Sequence, residues 1–453
     1  MDFEKLARTA RAEFIDKARA LLCIPTVLEH FDESNVEEPF GEAIRKALDL
    51  MLEFGMRDGF EVKNIANFAG HIEMGQGEEI LGILGHLDVV PAGGKWTDDP
   101  FSATLRDGRI YARGAMDDKG PTIAAYLAMK IIKDLGVPLR KRVRLILGCD
   151  EESGMRCIKK YLEHEAMPDL GFAPDADFPL IYGEKGIFSF DIVGEFADDL
   201  VLSLKAGDRY NVVPDRCDAH LAKDLAEPFR EFLHKHAYQG EVVGNRYTIY
   251  GRSAHAAWPH LGVNAIFLMM DFLKEHTQSP IVAFIEKYLL HDHLGRKLGI
   301  DHHDEEMKDL TINTAKVDYL EHKFRIGCNI RYPKGYDFAK GCAAIRAAAA
   351  SFSLEFIELG NSPYHYVSPK DPLVAELHKA YIKYTGDDKS PLITIGGGTY
   401  ARKLKKAVAF GPNFPGREDL AHQPDEYLDI DEMLKAVAIY AESIISLAGP
   451  EAE

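Results

Sequence analysis

The sequence predicts an α/β protein in which a discontinuous catalytic domain, a mixed sheet flanked by helices, is interrupted by an inserted α+β lid domain. Three observations carry that expectation. Apolar strand-like runs alternate with a helical segment early in the chain, the texture turns β-rich after Tyr182, and an amphipathic helix with a Gly-rich turn restores the first texture after Asp371. At 453 residues the chain is also too long for a single typical domain.

The first apolar run, Ile80 to Leu84, leads into His86. Lys119 to Leu135 then carries Ile123, Leu127 and Ile131 at helical spacing, with Pro121 near its start and Gly136 past its end. Val143 to Leu147 alternates apolar residues and runs straight into Asp150, Glu151 and Glu152, so these acids fall at a strand's C-terminal end. Open α/β sheets bind their ligands there. Between Ile187 and Pro363 lie the β-rich runs DLVLSLKAG, NRYTIYG, LTINTAKVDYL and FRIGCNIRYP, and two helical stretches, Asn264 to Glu275 and Phe338 to Ser351. Near the end come PLVAELHKAYIKYTG, the IGGGTY turn and the strand-like AVAFG. The expected domains are 1–186 and 364–453 for the catalytic part and 187–363 for the lid.

Composition removes several function classes. A net charge of −18 repels nucleic acid and anionic membrane surfaces, so neither is an expected partner. No segment reaches the roughly 18 consecutive apolar residues of a membrane span, and the charged, amphipathic N-terminus lacks the apolar core of a secretory signal. Cys23, Cys149, Cys157, Cys217, Cys328 and Cys342 are scattered without a CxxC pair, which suits reduced thiols in a cytoplasm. None is assigned to zinc, and Cys149 is read as a small core residue.

The chemistry concentrates in GHLDVVPAG, ARGAMDDKGP, CDEESG and APDADFP, which bring one imidazole and many carboxylates beside strand-like runs. That is how a buried binuclear metal site looks before folding. His86 and Asp88, two apart on an extended segment, point to one side, so Asp88 could hold the imidazole while His86 binds metal; a strand-end histidine capped by a surface acid is the plain alternative. Asp117 and Asp118 precede a helix, where one carboxylate could bridge two cations or one could simply cap the helix. Three adjacent acids at Asp150, Glu151 and Glu152 require cations or deep solvation; with Glu152 as a ligand, Glu151 could act as general base. Asp175 and His422 extend the set.

In this order and spacing the motifs resemble the M20 family of metallopeptidases, and the PepV-like dipeptidase branch most closely. GRSAHAAWPHLGVNA, NIRYP and GGGTYAR belong to the same match, which covers nearly the whole chain. The resemblance implies that Asp117 bridges two metals, with His86 and Asp175 completing one site and Glu152 and His422 the other. It implies that Asp88 orients His86, that Glu151 is the general base for a water shared by two cations, that His255 on the lid stabilises the oxyanion, and that a cis peptide joins Asp117 to Asp118. Asn211, Arg331 and the Gly396-Gly397-Gly398-Thr399 turn match the branch's substrate contacts, with Arg331 suited to a free carboxylate. Two Zn²⁺ per chain are expected, with Mn²⁺ or Co²⁺ also compatible. The expected substrate is a dipeptide with both ends free, and the alternative is a deacylase of N-acyl amino acids or succinyl-diaminopimelate. A monomer is favoured over a homodimer. Ala112, Ala256, Ala257 and Trp258 depart from the family pattern and bear on side-chain preference.

Overall fold

The computed structural model describes residues 1–450. The chain forms two compact units. The first comprises Met1–Tyr182, Val367–Ile393 and Thr399–Glu453, and the second comprises Gly183–Tyr366 and Thr394–Gly398. The β-rich texture seen in the sequence after Tyr182 therefore coincides with a change of unit, and a five-residue piece of the Gly-rich turn goes with the second unit as well.

In the first unit the strands follow the order Glu61–Ile65, Ala69–Met74, Arg142–Gly148, Ile80–His86, Leu170–Ala173 and Ala407–Ala409. The first two pairings are antiparallel and the next three parallel, so the sheet is mixed. Ile80–His86 is buried at every position, as a parallel strand covered on both faces must be. Lys119–Asp134 and Ile430–Ala448 pack on each other and on this strand, while Glu42–Arg57 and Arg156–His164 pack on the antiparallel side of the sheet. The Ile430–Ala448 helix begins where the Asp429 carboxylate accepts the amides of Asp431 and Glu432. Among the described residues no helix is long and apolar enough to cross a membrane.

Phe178 anchors the segment just after Asp175. Its ring lies 4.8 to 6.2 Å from those of Phe410, Phe414, Tyr381 and Tyr440, all in the first unit. Phe178→Ala is expected to remove about 3–5 kcal/mol of stability, seen as an earlier unfolding transition by calorimetry.

The second unit holds one eight-stranded antiparallel sheet, in the order Gln239–Val243, Arg246–Tyr250, Arg216–Leu221, Val201–Ala206, Thr311–Leu320, Lys323–Tyr332, Gly186–Glu195 and Glu355–Ser362. Along Lys323–Tyr332 the alternate residues Phe324, Ile326, Cys328 and Ile330 enter the core cluster, beside Ala265–Leu273 and Phe338–Ala350. Two further helices, Ala226–His236 and Pro280–Tyr288, complete the unit; the sequence reading had only the other two. Ala226–His236 was obscured by its run of charged and imidazole side chains, and only Phe229 and Leu233 bury fully.

Candidate metal centre

Three parallel strands bring the acidic motifs to one edge of the first unit's sheet. His86 ends Ile80–His86 in register with Gly148, the last residue of Arg142–Gly148, and Asp175 follows Leu170–Ala173. Asp150, Glu151 and Glu152 follow one residue further on, after the buried Cys149. A Cβ at Gly148 would stand 2.1 Å from the Tyr400 hydroxyl, so only glycine lets that ring lie edge-on to His86, centroids 6.3 Å apart.

Two groups of ligand-type atoms result. His86, Asp117 and Asp175 form one and Asp117, Glu152 and His422 the other, the atoms of each group lying within 4.8 Å of one another. Asp117 belongs to both. Its Oδ1 is 3.0 Å from His86 Nε2 and its Oδ2 is 2.9 Å from His422 Nε2; His86 Nε2 is also 3.8 Å from Asp175 Oδ2, and His422 Nε2 is 3.2 Å from Glu152 Oε1. The peptide bond between Asp117 and Asp118 is cis, and His422 takes a left-handed φ of 66°.

These residues fit a pair of cations. His86 Nδ1 lies 3.0 Å from the Asp88 carbonyl, which can only accept, so Nδ1 carries a proton and Nε2 turns toward the carboxylates. Nε2 is buried, and its 3.0 Å approach to Asp117 lacks hydrogen-bond geometry. Burial pushes the Glu151 carboxyl well above its usual range, aided by Asp175 and Glu152 against the pull of His86. Burial and Asp117 push Asp175 up to about 6 and raise Glu152. Burial resists charge on His86, but Asp117, Asp175 and Asp88 raise it well above its ordinary value; Asp117 and Glu152 hold His422 up to about 11. For Asp117 burial is outweighed by the two imidazoles, and its pKa is lowered. Asp117 thus stays ionised between two imidazoles while Glu151, Glu152 and Asp175 resist adding further negative charge; cations in place of the imidazole protons would let those carboxylates ionise.

Three acids do work different from the expected one. The Asp88 carboxylate accepts the amides of Glu151 at 2.9 Å and Glu152 at 3.1 Å, while its nearest approach to His86 Nδ1 is 3.6 Å. Asp88 thus orients His86 through its carbonyl and pins the acidic turn with its side chain. Asp150, fully buried, is neutralised by Arg156, whose Nε and Nη2 each lie 2.7 Å from one of its oxygens. Neither cation nor solvent is needed there. Asp118 accepts the His86 amide at 3.1 Å and the Thr122 hydroxyl at 3.0 Å, with no side-chain bond to a helix amide.

In the second unit, His255 is fixed by a backbone bridge to Val212 and by Ala256 N donating to the Asn211 carbonyl at 2.9 Å. Ala257 N donates to His255 Nδ1 at 3.3 Å, which leaves the ring proton on Nε2. Burial and then Arg331 lower its pKa, so the ring is neutral at pH 7 and a donor through Nε2. The buried Arg331 gives Nε to Asn329 Oδ1 at 2.8 Å and Nη1 to the Gly396 carbonyl at 3.0 Å. Asn313, also buried, donates to the carbonyls of Tyr210 and Val212, on either side of the exposed Asn211. Asn313 and Asn329 were missed from sequence, because a polar residue inside a strand carries no sign of which loop it will hold. In the Gly-rich turn, a Cβ at Gly396 would meet the Ala257 Cβ at 2.8 Å, whereas one at Gly397 meets only ordinary contacts. Gly398 closes the second unit's piece of the turn, and Thr399 belongs to the first unit, where its hydroxyl accepts from Ala401 N and starts the Tyr400–Lys403 turn of helix.

Paired imidazole–carboxylate sets that share Asp117, beside the parallel strand ends of the first unit, are the donor set of a metal-dependent enzyme, and similarity to known proteins gives its class. The family model for Peptidase family M20/M25/M40 matches residues 82–446. A relative in Bacillus subtilis (strain 168), named "Putative dipeptidase YtjP", is 42% identical over 99% of this chain and 100% of its own length. One in Staphylococcus saprophyticus, named "Putative dipeptidase SSP1012", is 41% identical over 96% and 97%. The chain belongs to peptidase family M20/M25/M40. Its fold is shared by human carnosine dipeptidase 1, with a TM-score of 0.61 at 15% identity over 98% of both chains. The yeast dipeptidase Dug1p from Saccharomyces cerevisiae gives 0.59 at 15% identity over the same share of each.

Proposed function

We propose that this peptidase is a dipeptidase with two metal ions, zinc in the first instance, held by His86, Asp117 and Asp175 and by Asp117, Glu152 and His422. The observation that carries the reading is Asp117, whose two oxygens each face a different imidazole. The names of the sequence relatives support the substrate class. Bound cations would supply Lewis acidity toward a carbonyl and lower the pKa of water; Mn²⁺ or Co²⁺ would suit the same donors. Glu151 accepts a proton from water as the water oxygen attacks the scissile carbonyl carbon. The C–N bond breaks as Glu151 returns that proton to the departing amine. The neutral His255, with its proton on Nε2, is the donor proposed for the oxyanion. Asn211, Arg331 and the turn through Gly397, Gly398 and Thr399 are the proposed substrate contacts, Arg331 acting at least in part by holding Gly396. In this reading the second unit serves as the lid, the protein works as a monomer in the cytoplasm, and its six free thiols are compatible with that compartment.

A substrate panel tests the assignment. Dipeptides with both ends free should be turned over, and blocking either end should abolish turnover; equal rates on N-acylated amino acids would favour a deacylase instead. Metal loading provides a further check. Without metal, His86 and His422 hold protons at pH 7, because both pKa values are raised. A cation must displace those protons, so binding is expected to release protons and to strengthen as pH rises. Calorimetric titration in buffers of different ionisation enthalpy measures the release; heats independent of buffer would contradict it.

A further inference from the structure

We propose that Glu426 is a positioning residue for the metal centre, presetting Asp117 by holding the backbone amides of the loop that carries it. The inference rests on the metal-binding reading above and adds a residue that no motif singled out. Glu426 lies four residues beyond His422 and is fully buried. Its Oε1 accepts from Met116 N at 2.8 Å and from Asp117 N at 3.3 Å. Its Oε2 accepts from Gly114 N at 3.1 Å and from Arg113 Nη1 at 2.5 Å, and its carbonyl takes the amide of Ala112 at 3.0 Å.

The arrangement ties together loops far apart in sequence. Arg113, itself 1% exposed, also donates to the carbonyl of Gln423, the neighbour of His422, and to that of Pro91, on the loop leading away from His86. One buried ion pair thus joins the segments that deliver the shared carboxylate and both imidazoles. Each oxygen of Glu426 faces only N–H donors. Only the ionised carboxylate can accept from all four donors at once. Glutamine has the same shape but must turn its NH₂ toward either the Arg113 and Gly114 donors or the Met116 and Asp117 donors. Either choice sets donor against donor and frees one side of the loop.

The test compares wild type, E426Q and D425N after stripping with a chelator and titrating with Co²⁺, following the visible absorption and the bound metal by equilibrium dialysis. Asp425 anchors the same segment by accepting Thr97 N and Oγ1, both at 2.8 Å, without touching the Asp117 loop. E426Q should bind Co²⁺ roughly 10- to 100-fold more weakly with an altered spectrum, and D425N should match wild type. Wild-type affinity and spectrum in E426Q, or an equal loss in D425N, would overturn the proposal. Wild type that takes up no Co²⁺ would instead overturn the metal-binding reading itself. Should E426Q fail to fold by circular dichroism, hydrogen exchange on the metal-free wild type decides. The Met116 and Asp117 amides should be protected before any metal is added, and protection that arises only on metal addition would refute presetting.

Discussion

Glu151→Gln is expected to lower kcat on a dipeptide by roughly 10²- to 10⁴-fold, the usual range for removing a positioned proton-transfer group, with metal content unchanged. The side chain is nearly isosteric and none of the close imidazole–carboxylate approaches involves it, so both ligand groups stay intact. Its backbone is also independently fixed, because Glu151 N donates to the Asp88 carboxylate. The burial that pushes its carboxyl up makes Glu151 a stronger base than a surface glutamate, which is what accepting and returning a proton near neutral pH requires. Steady-state kinetics with metal analysis on the same preparation checks this. A variant with full activity, or one that has lost its metal, would remove Glu151 from the role of base.

Asp117→Asn should be of comparable severity and should differ in kind. An amide cannot present an anionic oxygen to both groups at once, so both lose their shared ligand, whereas replacing Asp175 or Glu152 would disturb one. With cation chemistry worth several kcal/mol, activity is expected to fall by about 10³-fold or more, without recovery in excess metal. Bound metal should fall at both positions together. Retention of one full equivalent at wild-type affinity would show that the two groups are independent, contrary to the approach of one Asp117 oxygen to each imidazole.

Much of this was legible in the chain because it depends on local rules. The 3.6-residue spacing of Ile123, Leu127 and Ile131 corresponds to Lys119–Asp134, and the apolar runs before His86 and Asp150 correspond to neighbouring parallel strands. The β-rich runs of the middle region all fall in one antiparallel sheet. The weaker readings were those of individual carboxylates. In Asp150-Glu151-Glu152 the charges look equivalent in sequence, yet Arg156 neutralises the first, Glu152 joins a group of ligand-type atoms, and Glu151 feels the charges of His86, Asp175 and Asp117 without entering either group. Glu426 drew no reading from the sequence, although it is more deeply buried than Asp117. Helix periodicity and strand alternation report burial of apolar faces; they say nothing about a polar side chain whose burial depends on donors from elsewhere.

By itself the sequence determined the fold class, the family resemblance and the residue types able to hold metal, because these follow from periodicity and from motifs read in order. Tertiary structure alone decided which atoms meet. It put Asp117 between His86 and His422, which lie at opposite ends of the catalytic motifs in sequence, turned Asp88 from the imidazole to the amides of Glu151 and Glu152, and gave the His255 proton to Nε2. The physical reason is common to all three. Hydrogen bonds and charge interactions act over a few ångströms in space, and the partners that set each protonation state and orientation lie on strands and loops that only folding brings together.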